Sequence, residues 1–429
     1  MNPAVAMALV FAAFTLLIVP VALLQKRGWL SAELSRKVVH IGMGLVTAAF
    51  PCLFTEAWPV LLLTGGFVTL LVALRTVPIL RARFGSALCG VERASWGDLY
   101  FPIAIGGLFV LTHHEPVNFV IPVLILALAD AAAALIGTRF GRHRYLADEG
   151  EKSWEGSGAF LAVAFVCTLV PLLVTGVPLA HAALTALCVG FLTMLLEATA
   201  WRGLDNLFVP FSTLVMLRLY RDVPDFLLLR HLGGLACLAA AHLVFRRRVL
   251  LREGTFLGAL VLVYLCWTLG SARWSVGPIL VLLSHPLVNL GRPAGTEVWL
   301  RSHLTLLAFA LPSLAWLFAD RLLGLSGFAP FNIAFGAHLA LTGVSLWRTP
   351  LRKPGWLLVF PAAASGWLLL VLPWWLLGYL SARSALQAAL AFLAVVSVFH
   401  VLYRCLEHRP IRQWNLRALL AALASLAGT

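Results

Sequence analysis

The chain has 429 residues, of which 61% are hydrophobic and 12% are charged, whereas soluble domains carry about 25% charged residues. Apolar runs long enough to cross about 30 Å of hydrocarbon follow one another from end to end, which excludes a soluble globular protein and predicts an all-α, polytopic transmembrane helical bundle. The net charge of +14 does not indicate nucleic-acid binding, because the basic residues stand in short loops between apolar runs, where they set membrane orientation.

Nine apolar runs fill the first 250 residues. The first of them, residues 3–24, is too long for the core of a signal peptide, and no small-residue cleavage site follows it before Gln25, so we interpret it as a retained span. The others lie near residues 38–55, 57–74, 99–112, 117–138, 157–175, 181–200, 207–219 and 226–245. Six or seven further runs between residues 254 and 428 bring the expected total to about 15 hydrophobic segments.

The basic residues are distributed unevenly between alternate loops of these nine runs. One side receives 17 Lys and Arg residues, and the other receives three, namely Arg218, Arg221 and Arg230. By the positive-inside rule the first side is cytoplasmic, and the N-terminus then lies outside. The loops 139–156 and 201–206 are both expected on the cytoplasmic side.

The acidic residues divide the chain in two. Residues 1–250 hold 14 of the 18 acidic residues, and the rest of the chain holds only Glu253, Glu297, Asp320 and Glu407. Chemistry on phosphates or metal ions needs carboxylates. We therefore predict a catalytic membrane domain over residues 1–248, ending at the basic run Arg246-Arg247-Arg248, and an additional transmembrane helical domain without an assigned role over residues 249–429.

Asp130 stands out because it lies about 13 Å inside the cytoplasmic boundary, nine residues before Arg139 on the same predicted helix. It is either a structural acid paired with an Arg or a backbone group, or a proton-relay carboxylate, or a metal or phosphate-site ligand in a wet cavity. Small residues follow it at helical spacing, where another helix or a flat ligand can approach closely. These residues are Ala134, Gly137 and Gly141.

The loop after Gly141 ends in the sequence EKSWEGS (residues 151–157), directly before the next span. Ser153 is placed to cap that helix, whose first backbone N–H groups attract anions. Lys152 adds a mobile positive charge for a phosphate. The GxxxxGK[ST] spacing of a Walker A motif is absent, which excludes a soluble P-loop kinase.

Three other cytoplasmic edges carry polar residues that helix packing does not need. They are Arg36, Lys37 and His40 at the second span, Ser95-Trp96-Gly97-Asp98 at the fourth, and Asp205 and Asn206 at the eighth, with Glu197 in the span before it. Basic residues at such an edge also serve as positive-inside anchors, and buried polar residues also serve as satisfied structural groups. Their convergence on one membrane face is nevertheless what a functional site requires.

Five of these segments, in order, resemble the motifs of phytol kinases, dolichol kinases and their bacterial relatives, which are related more distantly to CDP-diacylglycerol synthases. The resemblance covers about residues 1–245, and the KSWEGS form is more similar to phytol kinases than to eukaryotic dolichol kinases. The five segments are RKVVHIGMG (36–44), RASWGDLYFPIAIGG (93–107), ADAAAALIGTRFG (129–141), EKSWEGSGAF (151–160) and LDNLFVP (204–210).

The resemblance implies a kinase of the bacterial inner membrane that transfers a phosphoryl group from CTP to an isoprenoid alcohol (phytol, dolichol or another polyprenol) at the cytoplasmic face, with Mg²⁺. Asp130 and Asp98 are then the metal ligands, and Asp205 or His40 accepts the hydroxyl proton. The alcohol is expected to enter from the bilayer, and homo-oligomerisation stays open. The expected nucleotide-binding residues are Arg36, Lys37, Gly137, Gly141, Lys152, Ser153, Glu155, Gly156 and Asn206.

Two alternative functions remain open from the sequence. A phosphatidate cytidylyltransferase similar to CDP-diacylglycerol synthases uses the same nucleotide, but the dense acidic and glycine signature of those enzymes is not seen. A lipid or anion transporter also places acids in broken helices, and it is expected to show polar groups on both sides of the midplane and two related halves. The two halves of this chain differ sharply in acid content, which favours the kinase.

Overall fold

The computed structural model describes residues 2–77, 96–147, 150–199, 203–246, 253–288, 303–351, 355–406 and 410–429. It divides into two compact units, Met1–Ala236 and Cys237–Thr429. The division falls in the middle of the helix Asp225–Phe245. The predicted domain boundary at residues 246–248 lies mostly outside the described residues, as do Ser95 and Arg202, and the assignment of catalysis to residues 1–248 stays a prediction.

The first unit is built almost entirely from helices. In chain order they are α1 (Pro3–Lys26), α2 (Ala32–Ala48), α3 (Phe50–Leu53), α4 (Ala57–Thr76), α5 (Gly97–Thr112), α6 (Pro116–Leu124), a π-helical turn (Ile125–Ala129), α7 (Asp130–Phe140), α8 (Trp154–Val174), α9 (Leu179–Ala198), α10 (Asp205–Tyr220) and the start of α11 (Asp225–Phe245). The nine apolar runs predicted in the first 250 residues are therefore helical over most of their length.

Nine helices within the described residues are long and apolar enough to cross a membrane. The prediction of an all-α membrane bundle is confirmed in this coarse form, while the total of about 15 segments and the outside N-terminus stay predictions. The nine are Pro3–Lys26, Ala57–Thr76, Pro116–Phe140, Trp154–Val174, Leu179–Ala198, Asp225–Phe245, Glu253–Gly270, Val359–Leu376 and Ala382–Leu402.

The helices that carry predicted site residues in their N-terminal halves include three that are shorter than these. Helices α2, α5 and α10 have 17, 16 and 16 residues, so each measures about 24 to 26 Å against about 30 Å for the hydrocarbon layer. A helix of this length is a few ångströms shorter than the hydrocarbon layer, so polar residues near its ends lie close to the edge of that layer. Partners from neighbouring elements stabilise such residues.

A β-hairpin stands where the sequence predicts only a loop of mixed charge. Strand β1 (Arg144–Ala147) pairs antiparallel with β2 (Gly150–Ser153), and Tyr145 lies opposite Lys152. An ion pair between Arg144 and Glu151, at 3.0 Å, links the two strands. Such cross-strand pairs stabilise a hairpin without any apolar alternation, which is why hydrophobic periodicity does not reveal it.

Aromatic packing holds the centre of the first unit. The rings of Phe109 and Phe119 meet edge to face with centroids 5.3 Å apart, and Phe50 stacks on Phe119 with centroids 6.4 Å apart. All three side chains are almost completely buried, and this geometry is favourable for aromatic pairs. The contacts fix α5 and α6 relative to α3, and thereby the polar ends of α5 and α7.

The second unit is a separate helical bundle. Its described elements are α12 (Glu253–Leu265), a π-helical turn (Cys266–Gly270), α13 (Ala272–Val288), α14 (His303–Leu323), α15 (Phe328–Leu351), a 3-10 turn (Gly355–Leu358), α16 (Val359–Gly366), a π-helical turn (Trp367–Val371), α17 (Leu372–Leu376), α18 (Ala382–Leu406), α19 (Pro410–Ser425) and a 3-10 turn (Leu426–Gly428). Helix α15 runs through its core, where the indole N–H of Trp374 donates to the side-chain oxygen of Asn332 at 3.0 Å.

Membrane orientation can be tested on the two ends of α10. This helix is about 24 Å long, so Arg221, which follows its last residue, lies at the opposite end from Asp205. In a cysteine-free background, we expect Arg144→Cys and Arg202→Cys to be shielded from an impermeant thiol reagent in intact cells, because the positive-inside rule places their loops in the cytoplasm. The matched control Arg221→Cys should be labelled from outside. Labelling of Arg144→Cys or Arg202→Cys in intact cells would contradict the orientation.

Candidate functional site around Asp130

The helix that carries Asp130 changes its winding directly before that residue. Residues Ile125–Ala129 form a π-helical turn between α6 and α7. Such turns shift the backbone hydrogen-bond pattern by one residue and occur frequently at functional sites. Here the carbonyl oxygen of Leu126 is 3.1 Å from Nε2 of His40 on α2. Because a carbonyl oxygen only accepts hydrogen bonds, Nε2 carries the proton and the neutral His40 ring has its lone pair on Nδ1.

Asp130 is paired with Lys37, which also comes from α2. The ammonium nitrogen of Lys37 lies 2.7 Å from Oδ2 of Asp130, and Nε2 of His40 lies 3.8 Å from the same oxygen. The Lys37 side chain is only 6% exposed and that of Asp130 is 26% exposed. The carboxylate therefore faces a buried cation on one side and keeps an accessible side, as a ligand-binding carboxylate must.

The small residues after Asp130 bring α7 close to the start of α8, as their spacing predicts. A Cβ atom added at Gly156 would lie 2.8 Å from the carbonyl oxygen of Ala133, and one added at Gly141 would lie 2.8 Å from the hydroxyl of Ser153. Ser153 caps α8 by accepting the N–H of Gly156 at 3.1 Å, which confirms the predicted cap. Gly137, Gly141 and Gly156 are thus needed for helix packing, whether or not a nucleotide also lies against them.

Lys152 lies at the end of β2 and contacts the last turn of α9. Its ammonium group donates to Oε1 of Glu197 at 2.8 Å and also to the backbone carbonyl oxygen of Glu197. Burial by itself lowers the pKa of Lys152, but the charge and hydrogen bond of Glu197 outweigh it, and the net pKa is raised above the usual value for lysine. Lys152 is therefore fully charged at neutral pH.

Asp205 is brought next to both ion pairs. It begins α10 and lies within electrostatic range of Asp130, Lys152 and Glu197. Its Oδ1 atom is buried and has no hydrogen-bond partner among the described residues. Buried polar atoms are almost always bonded, so an unbonded carboxylate oxygen within electrostatic range of other charged groups marks a place where a cation or a proton donor fits. Asn206 instead donates to the carbonyl oxygen of Gly97 at 2.9 Å and so fixes α10 against α5.

Asp98, the second predicted metal ligand, is held by an arginine. It forms an ion pair with Arg75 of α4, and the Arg75 guanidinium also lies 4.8 Å from the centre of the Trp96 ring. Within the described ranges, no group of three or more His, Cys, Asp or Glu side chains is arranged to hold a metal ion. The prediction that Asp98 and Asp130 share a metal is left without support from their contacts.

Two predicted nucleotide-binding residues make local contacts. Arg36 pairs with Glu33 of its own helix at 2.9 Å, with both side chains about half exposed. Glu155 accepts hydrogen bonds from the backbone N–H of His143 at 3.1 Å and from Nδ1 of the same residue at 2.8 Å. Glu155 therefore joins the base of the hairpin to α8.

Three residues to which the sequence assigns no role belong to this region. Glu197 and Arg75 are the partners of Lys152 and Asp98, and the Tyr145 hydroxyl lies 2.8 Å from the Ser157 hydroxyl. Burial raises the pKa of Tyr145, and the nearby Glu197 adds to this rise, so the phenol stays neutral. The sequence draws attention to Glu197 because it is an acidic residue near the end of an apolar run. Its position in the chain does not identify Lys152 as its partner.

Comparison with known proteins identifies a relative of this chain. A protein named phytol kinase from Synechocystis sp. is 34% identical over 196 residues, which cover 44% of this chain and 81% of that relative. No protein-family model matches the chain. No solved structure matches it either.

The contact between Lys37 and Asp130 can be tested by a double-mutant cycle. Asp130→Asn leaves the almost fully buried Lys37 ammonium without its countercharge, so we expect a loss of stability of about 1 to 3 kcal/mol, measured by thermal unfolding in detergent. Lys37→Met should cost less, because Asp130 is more exposed than Lys37. The double variant should recover most of the loss.

The matched control for this cycle is the exposed pair on the same helix. Glu33→Gln removes an ion pair that is about half exposed, and its effect should stay within about 0.5 kcal/mol. Additive losses in the double variant would show that Lys37 and Asp130 do not interact.

Proposed function

Because the chain belongs to the phytol kinase family, we propose that it is a membrane-embedded kinase that transfers a phosphoryl group from CTP to an isoprenoid alcohol of the phytol or polyprenol class. The observation that carries this proposal is the match to a phytol kinase over 81% of that relative. The grouping of Asp130, Lys152 and Asp205 within electrostatic range of one another supports it. The choice of CTP as the phosphoryl donor, rather than another nucleotide, rests on the motif resemblance alone.

The charges around Asp130 suit phosphoryl transfer. This reaction asks the protein mainly to position the two substrates and to neutralise charge on the phosphates. Lys37 and Lys152 supply ammonium groups from α2 and from the hairpin, and each is held by a carboxylate. The first turn of α8 adds backbone N–H groups at a helix N-terminus, which favour an anion. We assign the triphosphate to the space between these groups.

A divalent metal ion fits the carboxylates present. Mg²⁺ is usually held by one or two carboxylates together with phosphate oxygens and water. Asp130 has an accessible carboxylate, and Asp205 has a buried oxygen without a hydrogen-bond partner among the described residues. We propose that these two residues, rather than Asp98, would hold Mg²⁺, which would neutralise charge on the transferred phosphate.

The acceptor is a lipid, so it reaches the site from the bilayer. Its hydroxyl oxygen attacks the terminal phosphorus, the bond to the bridging oxygen breaks, and the nucleoside diphosphate leaves. We propose that one of two groups takes the hydroxyl proton, either Nδ1 of His40, which the Leu126 contact leaves as the basic ring nitrogen, or the carboxylate of Asp205. No soluble substrate domain is needed for such an acceptor.

The opposite end of the first unit also carries charged residues, and several of them pair with one another. Arg218 binds Glu115 at 2.9 Å, and Nδ1 of His181 lies 2.7 Å from Asp225. These pairs link α10 to the start of α6 and α9 to α11 near the helix ends. They therefore serve as connections between helices and give no specific support to a transport path through the unit.

The proposal is tested with purified full-length protein, γ-labelled CTP and a panel of phytol, geranylgeraniol, undecaprenol and diacylglycerol. We expect labelled phosphate to appear on an isoprenoid alcohol. Asp130→Asn should lower turnover by about 100-fold or more, because the lost carboxylate weakens metal binding and charge neutralisation in the transition state. Lys152→Met should mainly raise the apparent KM for the nucleotide, since the ammonium contacts phosphate in both the ground and the transition state.

Folding is the control for this comparison. Both variants should remain monodisperse in detergent, and Asp130→Asn should be compared at a temperature well below its own unfolding transition. If folded Asp130→Asn keeps full activity at limiting Mg²⁺, Asp130 is not a metal ligand and the site lies elsewhere.

A further inference from the structure

The ion pair between Lys152 and Glu197 has an unusual arrangement of donors and acceptors. An ammonium group has three N–H donors, and two of them go to the same residue, one to the carboxylate and one to the backbone carbonyl of Glu197. Glu197 lies in the last turn of α9, where helix carbonyls carry partial negative charge and attract cations. The backbone and side chain of one residue thus fix the position of the ammonium group.

We infer that Glu197 is a positioning residue, which holds Lys152 so that its remaining N–H is available to a phosphate oxygen of the bound nucleotide. This inference rests on the proposed kinase function. It assigns Glu197 a role that acts through Lys152, and Glu197 itself does not contact the substrate.

The exposure of the two side chains supports this role over that of a simple structural link. Glu197 is almost fully buried, with 11% of its side chain exposed, whereas the Lys152 side chain is 26% exposed. The acid is therefore covered by protein while the cation keeps an open side. Asp205, one of the two carboxylates that we assign to the metal, acts electrostatically on the same ammonium group.

Glu197 also keeps Lys152 charged. Burial favours the neutral amine and so lowers the pKa of Lys152. The charge and the hydrogen bond of Glu197 are the main effects that raise this pKa again. Without the Glu197 charge, the burial effect remains and the pKa of Lys152 falls. Loss of Glu197 should therefore change the pH range over which Lys152 can bind a phosphate, and a purely structural contact would not have this consequence.

The test is Glu197→Gln in the full-length protein, assayed for nucleotide KM and turnover across pH 6 to 10. Glutamine has the same shape and can still accept one hydrogen bond, so we expect a folded protein with a KM for CTP raised about tenfold. Wild type should keep its nucleotide affinity up to the highest pH. The variant should lose affinity toward high pH, because its lysine deprotonates there.

The matched control is Glu151→Gln, in the same hairpin. Glu151 pairs with Arg144 at 3.0 Å, and both side chains are more than half exposed. This substitution removes an equivalent charge next to Lys152 in sequence, and it should leave KM and the pH profile unchanged. An equal effect of both substitutions would show that Glu197 acts only as one of the negative charges around Lys152, and the positioning role would be wrong.

A second comparison tests whether Glu197 acts through Lys152. In a Lys152→Met background, Glu197→Gln should have no further effect on KM, because the group that it positions is gone. Additive effects would overturn the inference, as would an unchanged or lowered KM in the single variant. If Glu197→Gln does not fold, Glu197→Asp replaces it in the test, because aspartate keeps the charge but has a side chain shorter by one methylene group. This variant should raise the KM for CTP without the loss of affinity at high pH. An unchanged KM would again overturn the inference.

The outcomes separate this inference from the proposed function. If wild type phosphorylates an isoprenoid alcohol while Glu197→Gln behaves like wild type, the kinase function stands and the role of Glu197 is wrong. If wild type transfers no phosphoryl group to any alcohol of the panel, the proposed function is wrong and the role of Glu197 fails with it.

Discussion

A carboxylate in a membrane protein is expensive to desolvate, and it persists only with a cation or several hydrogen-bond donors beside it. This constraint organises the first unit. Asp130 meets Lys37, Glu197 meets Lys152, and Asp98 meets Arg75. In each pair the two partners come from different elements, so every pair also fixes the position of one element against another.

The same ion pairs bring the polar ends of the short helices together into the candidate site. Helices α2 and α10 are shorter than the hydrocarbon layer is thick, and they carry Lys37 and Asp205 near their N-terminal ends. Close contacts at Gly137 and Gly156 allow α7 to approach α8, and the π-helical turn before Asp130 supplies a carbonyl oxygen to His40. Asp205 then stands out because its Oδ1 atom lacks a hydrogen-bond partner in the described part of the chain, in a region where the neighbouring carboxylates of Asp130 and Glu197 are paired.

The sequence predicts much of this architecture, because apolar length and capping are local properties. The nine early apolar runs form helices, and Ser153 caps α8 as its position before the run indicates. The pairing of charged side chains, by contrast, is not a local property of the sequence. Lys37 is 93 residues from Asp130 in the chain, and composition does not distinguish it from an orientation-setting lysine. The same limit explains why the sequence does not identify Arg75 as the partner of Asp98. It also explains why the sequence suggests a loop for the hairpin, whose strands are joined by polar contacts.

The central claim is that the site transfers the terminal phosphate of a nucleotide to a lipid alcohol. The most direct measurement compares CTP labelled at the α-phosphate with CTP labelled at the γ-phosphate, using purified full-length protein, Mg²⁺ and an isoprenoid alcohol. A kinase breaks the bond to the γ-phosphorus, so we expect the lipid product to carry only the γ label, with labelled CDP remaining from the α-labelled nucleotide. Transfer of the α label to a lipid would instead indicate cytidylyl transfer, and it would contradict the assignment of this chain as a kinase.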